Sequence, residues 1–162
     1  MQDTKYPLTP EEFKSIYSKV PRFCVEVIVE TDEGIILTKR SIEPGIGQWH
    51  IPGGTVFFGE SVEDAVRRVA KNELGIEVDI KGMIGVIEYP HLHKDGYFGW
   101  PFGLAILTRI KSGEIRGSEQ GEEVKAFKEF PENTIKDQKI FLEKVLQGSC
   151  DDPDCEEDHD KH

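Results

Sequence analysis

The chain has 162 residues, which is enough for one domain with a sizeable core and too few for two. It carries 31 acidic residues against 20 Lys and Arg, a net charge of −11, which argues against a nucleic-acid partner. No run approaches the ~20 apolar residues that span a bilayer, and the N-terminus lacks a signal pattern. We therefore expect a cytoplasmic protein with no membrane partner.

Sequence patterns divide the chain into an N-terminal helix (1–20), a central domain (21–147) and an acidic tail (148–162). Thr9-Pro10-Glu11-Glu12 is a capping box with a first-turn proline, which predicts a helix carrying Phe13 on its apolar side. The tail is acidic and has few apolar residues, so we expect it to be disordered. The alternative is a Zn²⁺ site, because the tail contains four suitable ligands: Cys150, Cys155, His159 and His162.

Strand and helix patterns alternate irregularly in the central domain, which predicts an α/β fold with a mixed sheet between helices. A hairpin is expected first, and a C-terminal helix last. The predicted strands are Phe23 to Glu30, Ile35 to Lys39, Ile76 to Tyr89, Trp100 to Ile110 and Glu123 to Phe130, and the last helix is Asp137 to Gln147.

The stretch from Gly53 to Ile76 predicts a glycine turn followed by a helix that Ser61 caps and Gly75 ends. At about 100° per residue, one face of this helix is apolar, and Glu73 lies near the middle of that face. The apolar residues are Val62, Ala65, Val66, Val69 and Ala70. A carboxylate there needs a cationic partner, either Mg²⁺ or an arginine.

This stretch resembles the Nudix box, in which a glycine, a glutamate, an Arg-Glu pair and a final glycine stand at fixed spacing. The matching residues are Gly54, Glu60, Arg68, Glu73 and Gly75. The resemblance covers roughly Pro21 to Leu146. It implies the Nudix fold, a mixed sheet in an α/β/α arrangement, and a hydrolase activity.

Two box positions depart from the pattern, because Val69 and Asn72 replace glutamates that are normally metal ligands. The altered box resembles that of the GDP-mannose mannosyl hydrolases, which retain the last of the three glutamates. That resemblance implies one Mg²⁺, with Mn²⁺ as a substitute, held by Glu73, the Gly53 carbonyl and Gln120. Glu60 and Arg68 would then form a structural ion pair.

The same resemblance assigns roles to two residues of the predicted hairpin. Arg40 matches an arginine that contacts the diphosphate, and its planar donors suit phosphate oxygens. Glu26 matches an acidic position that contacts the sugar, although its pattern alone leaves open whether it faces solvent or a pocket. Thr55 and Gly103 replace an arginine and a base-stacking tyrosine of that branch.

The general base is not assigned by the resemblance, because Gly121 stands where the branch has a histidine. Glu122 and Glu123 follow directly and are candidates for the base, unless they belong to a solvated turn. His91 lies in a segment from Pro90 to Phe98 that we expect to be a loop, where it would bind substrate or remain on the surface. The aromatic residues after it are either a stacking surface or core: Tyr97, Phe98, Trp100 and Phe102.

Three functions remain open from the sequence. The first is Mg²⁺-dependent hydrolysis of a nucleoside-diphosphate sugar, with cleavage of the carbon–oxygen bond. The second is an ordinary Nudix pyrophosphohydrolase whose ligands have moved to Glu122 or Glu123, and the third is a non-catalytic nucleotide-binding module. The oligomeric state is open, with a homodimer as one alternative.

Overall fold

The computed structural model describes residues 6–116 and 121–146, without the side chains of residues 121 and 122. These segments form a seven-stranded mixed sheet and several helices. None of the described helices has the length and apolar character needed to cross a membrane. The elements are α1 (Pro10–Tyr17), β1 (Arg22–Thr31), β2 (Gly34–Arg40), β3 (Trp49–His50), β4 (Gly53–Thr55), α2 (Val62–Val69), a π-helical turn (Ala70–Leu74), β5 (Glu77–Glu88), α3 (Pro90–Lys94), β6 (Pro101–Ser112), β7 (Gly121–Phe127) and α4 (Lys136–Leu146).

The sheet opens between β1 and β2. The strand order is β3-β2-β1-β6-β5, with β4 beside β1 and β7 beside β2, and β1 and β6 are parallel. The register of the β1–β2 hairpin covers only two pairs near its turn, Glu30 with Ile35 and Thr31 with Gly34. Beyond them β1 pairs with β4, while β2 pairs with β3. The segment from β3 to β4 therefore crosses from one strand to the other and leaves a cleft between them.

Two apolar cores lie on opposite faces of the sheet, which confirms the α/β/α prediction. On one face α2 packs against β1, through Ala65, Val66 and Val69 of the helix. On the other face Leu142 of α4 packs in a second core with Ile28 of β1. Successive residues of a strand point to opposite faces, so β1 contributes to both cores.

The helix that Ser61 begins is confirmed, since its hydroxyl accepts a hydrogen bond from the Asp64 amide at 3.1 Å. Gly75 ends it with a left-handed φ of 70°, a conformation that glycine adopts at little cost. Its last five residues widen into the π-helical turn, and Glu73 lies within that turn. Such turns occur often at functional sites.

Three details of the sequence prediction are wrong. The segment from Pro90 to Lys94 is the helix α3 and not a loop, because Asp137 of α4 accepts hydrogen bonds from its first turn, including one from the Leu92 amide at 3.2 Å. Val62, expected on the apolar face of its helix, is 37% exposed. The short strands β3 and β4 were not expected.

A candidate active site in the cleft between the two hairpin strands

A cavity of about 640 Å³ occupies the cleft between β1 and β2, a size typical of small-molecule sites. Residues from β1, β2, β4, α2 and the π-helical turn line it. The charged lining residues are Arg22, Glu26, Arg40, Glu43, Arg68 and Glu73. Residues of the box and of the predicted hairpin, which only the family resemblance connected, thus line the same cavity.

Glu73 is buried in this cavity, with only 7% of its surface exposed, as the sequence predicts. Val69 and Asn72 line the same cavity. The three box positions at which the pattern has metal-binding glutamates therefore all line the cavity in this chain, and only Glu73 brings a carboxylate.

Arg40 lies between two acidic groups at the end of β2. Burial lowers the pKa of its guanidinium, while the charges of Glu26 and Glu73 oppose that shift. One of its terminal nitrogens donates to the Glu43 carbonyl at 3.3 Å, and its buried Nε has no hydrogen-bond partner among the described residues. A cation with a buried, unused donor suits an anionic ligand that enters the cavity.

Glu26 faces the cavity, which decides between the two orientations that its pattern leaves open. Its side chain is 6% exposed and lies against Gly53 and Gly103, where a Cβ would collide with it. Tyr89 donates a hydrogen bond of 2.7 Å to its carboxylate, and Gln138 donates one of 2.9 Å to the Tyr89 hydroxyl. Burial raises the pKa of Glu26 to about 7. The hydrogen bond from Tyr89 and the charges of Arg22 and Arg40 act in the opposite direction.

Glu60 and Arg68 form the ion pair that the sequence predicts, with two parallel contacts of 2.8 and 2.9 Å. Arg68 also donates to the Thr55 carbonyl at 2.8 Å, and the Phe57 amide donates to Glu60 at 3.1 Å. The guanidinium lies over the Phe57 ring at 3.7 Å. These contacts tie β4 and the loop after it to α2, and the hydrogen bond from Arg68 lowers the pKa of Glu60.

Two further titratable groups beside the cavity are held in neutral form. Burial lowers the pKa of His50 to about 3, and its Nε2 lies 2.9 Å from the Thr38 hydroxyl. Burial raises the pKa of the Cys24 thiol to about 12, so a thiolate nucleophile is not available there.

The candidate base Glu123 and the candidate substrate ligand His91 both lie outside the cavity lining. Glu123 is half-exposed on β7 and pairs with Lys39 at 3.8 Å and Lys125 at 3.7 Å, outside the cavity lining. His91 pairs with Asp137 at 2.5 Å and also lies outside that lining. Gln120, the side chain of Glu122 and the four tail residues Cys150, Cys155, His159 and His162 lie outside the described part of the chain.

The register of β7 places the backbone of its first residue near the cavity. Gly121 is the Cα partner of Arg40 across the β2–β7 ladder. β7 therefore begins beside a residue that lines the cavity.

Sequence reasoning missed Arg22. Its guanidinium lines the cavity and donates to the Thr55 hydroxyl at 3.0 Å and to the Cys24 sulfur at 3.0 Å. Positions 22, 24 and 26 lie on the same side of an extended strand, and this period of two was the available signal. The arginine that the resemblance expects at position 55 is absent, and Arg22 supplies a cation at that position from the neighbouring strand.

The donor set fits a divalent cation that is shared with a substrate. Glu73 is a buried carboxylate in the cavity, and Gly53 lines the same cavity. Mg²⁺ commonly binds through one or two carboxylates plus substrate phosphates and does not need an all-protein cage. Accordingly, residues 6–116 and 121–146 contain no group of three His, Cys, Asp or Glu side chains arranged for a metal.

Known proteins show the same fold and motif. The NUDIX domain family model matches residues 20–147. The chain is 39% identical over 79 residues to the low-salt glycan biosynthesis protein Agl8 of Haloferax volcanii, which covers 49% of this chain and 51% of that protein. It is 32% identical over 107 residues to an ADP-ribose pyrophosphatase of Methanocaldococcus jannaschii, covering 66% of this chain and 62% of that protein.

Among solved structures, a MutT NUDIX hydrolase from Burkholderia pseudomallei is similar, with a TM-score of 0.70 and 30% identity over 78% of this chain and 98% of that one. The chain spans between half and two thirds of the length of the two relatives above. The family model matches well over half of this chain and includes the whole box from Gly54 to Gly75. The chain therefore belongs to the Nudix family.

Proposed function

We propose that the chain is a Mg²⁺-dependent hydrolase of a nucleoside-diphosphate sugar. The observation that carries the proposal is the composition of the cavity wall formed by the box. Glu73 is a buried carboxylate there, whereas Val69 and Asn72 line the same cavity without one. A pyrophosphohydrolase that attacks phosphorus gathers several cations around it, and this wall lacks the ligands for them.

In this proposal Glu73, the Gly53 carbonyl and Gln120 would hold one Mg²⁺, with Mn²⁺ as a substitute. The ion would supply positive charge that stabilises the departing diphosphate. Arg40 supplies a second cation to the same group through its planar donors. The net charge of the chain repels an anionic substrate, so these local cations have to bind it.

Water then attacks the anomeric carbon of the sugar, with inversion of configuration and help from a general base. Glu122 is our candidate for that base. Its backbone follows Gly121, the register partner of Arg40, whereas Glu123, the other candidate, pairs with Lys39 outside the cavity lining. Glu26, which faces the cavity, is the candidate to bind the sugar hydroxyls.

The relatives support a substrate that joins a nucleotide to a sugar. The name of the Haloferax protein connects it to glycan biosynthesis, and the name of the Methanocaldococcus protein gives ADP-ribose as its substrate. The second relative also favours the alternative activity, pyrophosphate cleavage, with metal ligands moved to Glu122 or Glu123. The third hypothesis is a non-catalytic nucleotide-binding module.

A two-step assay distinguishes the three functional hypotheses. Thermal unfolding is measured with a panel of nucleoside-diphosphate sugars, with and without Mg²⁺, and products are then identified by chromatography. We expect Mg²⁺-dependent stabilisation and release of free sugar plus nucleoside diphosphate. Release of sugar phosphate plus nucleoside monophosphate would favour the pyrophosphohydrolase, and stabilisation without any product would favour the binding module.

A further inference from the structure

One end of the cavity is built from aromatic rings, and two of them come from outside the range matched by the family model. Tyr6 and Phe13 of the N-terminal segment both line the cavity, whereas the model matches residues 20–147. Phe57, Tyr97 and Phe98 line it as well. The N-terminal segment is therefore part of the wall of the candidate site.

The rings form a continuous arc of edge and tilted contacts. Phe57 lies 5.3 Å from Tyr6, centroid to centroid, and Tyr6 lies 5.8 Å from Phe13. Phe13 then contacts Phe98 at 6.1 Å, and Phe98 contacts Tyr97 at 4.8 Å. An arc of ring faces and edges is suited to a flat, partly apolar group.

Polar contacts hold this arc in place around one cation. The Tyr6 hydroxyl donates to Thr55 at 2.9 Å, and Arg22 donates to the same threonine. Arg22 also donates to the Tyr97 hydroxyl at 3.4 Å and lies 5.2 Å from the Phe13 ring centroid. Its buried Nε has no hydrogen-bond partner within the described segments.

The arc and the part of the cavity beside Arg40 lie at different positions along β1. Arg22 begins the strand and Glu26 lies four residues later, a separation of about 13 Å in an extended strand. Glu26 lies beside Gly53 and Arg40, whereas Arg22 lies among the rings. An elongated ligand can therefore place its charged group at one end and a ring at the other.

We propose that Tyr6 and Phe13 form a nucleobase-binding wall, so that the N-terminal segment determines which nucleotides this chain accepts. This rests on the proposed function only in taking a nucleoside diphosphate derivative as the ligand. The base stacks on the arc, and Arg22 offers its donors to carbonyl or ring-nitrogen acceptors at the edge of the base. The diphosphate lies at the other end, beside Arg40 and Glu73.

The test compares ligands that differ only in the nucleoside. The probes are the adenosine, guanosine and uridine α,β-methylene diphosphates, which are not cleaved between the phosphorus atoms, and methylenediphosphonate, which has no base. Affinities are measured by isothermal titration in Mg²⁺ for the full chain and for Phe13→Ala. We expect the variant to bind the preferred nucleoside probe about tenfold more weakly and to bind methylenediphosphonate as the original chain does.

Two further variants keep the result interpretable. Phe13→Leu retains an apolar side chain but removes the ring, so it should lose nucleoside affinity even if Phe13→Ala does not fold. Ile16→Ala removes an exposed apolar residue from the same helix and should change neither affinity. An equal loss of affinity for the nucleoside probes and for methylenediphosphonate, or no loss of affinity for either, would overturn the proposed nucleobase-binding wall.

Failure of this inference is distinguishable from failure of the proposed function. If nucleoside probes bind in a Phe13-dependent way and no nucleotide sugar is hydrolysed, the hydrolase proposal fails and the wall stands. If nucleotide sugars are hydrolysed and Phe13→Leu leaves every KM unchanged, the wall is wrong and the hydrolase proposal stands.

Discussion

The side chain of Glu26 occupies the space in which any residue other than glycine at position 103 would place its Cβ. That atom would lie 2.6 Å from Cγ and 3.1 Å from Cδ of Glu26. Gly103 of β6 pairs with Cys24 of β1, which lies two residues before Glu26 on the same strand. The buried position of Glu26 therefore requires glycine at position 103.

Gly103→Ala should therefore displace Glu26 and lower the free energy of unfolding by about 1–3 kcal/mol, as for other overpacked sites. Urea unfolding measures this. Gly54→Ala is the matched control, since a Cβ there would meet only a methyl group of Val69 at 3.3 Å, and its cost should be smaller. A cost at Gly54 as large as that at Gly103 would contradict the argument.

Glu60→Gln should lower the free energy of unfolding by about 2 kcal/mol, because it leaves the mostly buried Arg68 guanidinium without its paired carboxylate. Glu63→Gln removes an exposed carboxylate that lies 3.5 Å from Arg67 on the same helix. Pairs of that kind contribute well under about 1 kcal/mol. The two variants are compared by urea unfolding, and equal costs would show that the Glu60 pair is not structural.

Glu73→Gln should reduce Mg²⁺-dependent turnover by at least about 100-fold while the protein stays folded, since it removes the carboxylate of the box that lines the cavity. The rate is measured at increasing Mg²⁺ concentration, and folding by circular dichroism. Glu63→Gln serves again as the control and should retain its turnover. Full activity of Glu73→Gln at saturating Mg²⁺ would remove Glu73 from the metal site.

The stability of the fold should fall with acid through His50. Burial lowers its pKa to about 3 in the fold, against about 6.5 in the unfolded chain. The unfolded chain therefore binds an extra proton between these values, and the stability due to this group is complete above about pH 6.5 and is lost as the pH falls towards 3.

The expected contribution of His50 to that pH dependence is about 1.4 kcal/mol per pH unit at most. Urea unfolding of the original chain and of His50→Gln at pH 7, 6, 5 and 4 measures it. The difference in unfolding free energy between the two should change steadily with pH below about 6.5. A constant difference over the whole range would show that His50 does not titrate as the structure implies.

The part of the site that the sequence predicted is carried by local patterns. Ser61 and Gly75 mark the ends of one helix, and the helical period places Glu73 on its buried face. The Glu60–Arg68 pair also follows from one short stretch of chain. In such cases residues close in sequence determine the geometry, so the pattern and the structure agree.

The parts that the sequence did not predict depend on contacts between distant segments. Strands of two or three residues, such as β3 and β4, are too short to show a period of two. Arg22 reaches Thr55 only because β1 pairs with β4, and α3 is a helix because Asp137 caps it from α4. No local pattern encodes these pairings.

The most direct test of carbon–oxygen cleavage is hydrolysis of a nucleoside-diphosphate sugar in ¹⁸O-labelled water. The masses of the products are then determined by mass spectrometry. A box that presents Glu73 without carboxylates at positions 69 and 72 should leave phosphorus unattacked, so the label should enter the released sugar and be absent from the nucleoside diphosphate. Label on a phosphate would contradict the single-metal account and establish cleavage of the pyrophosphate.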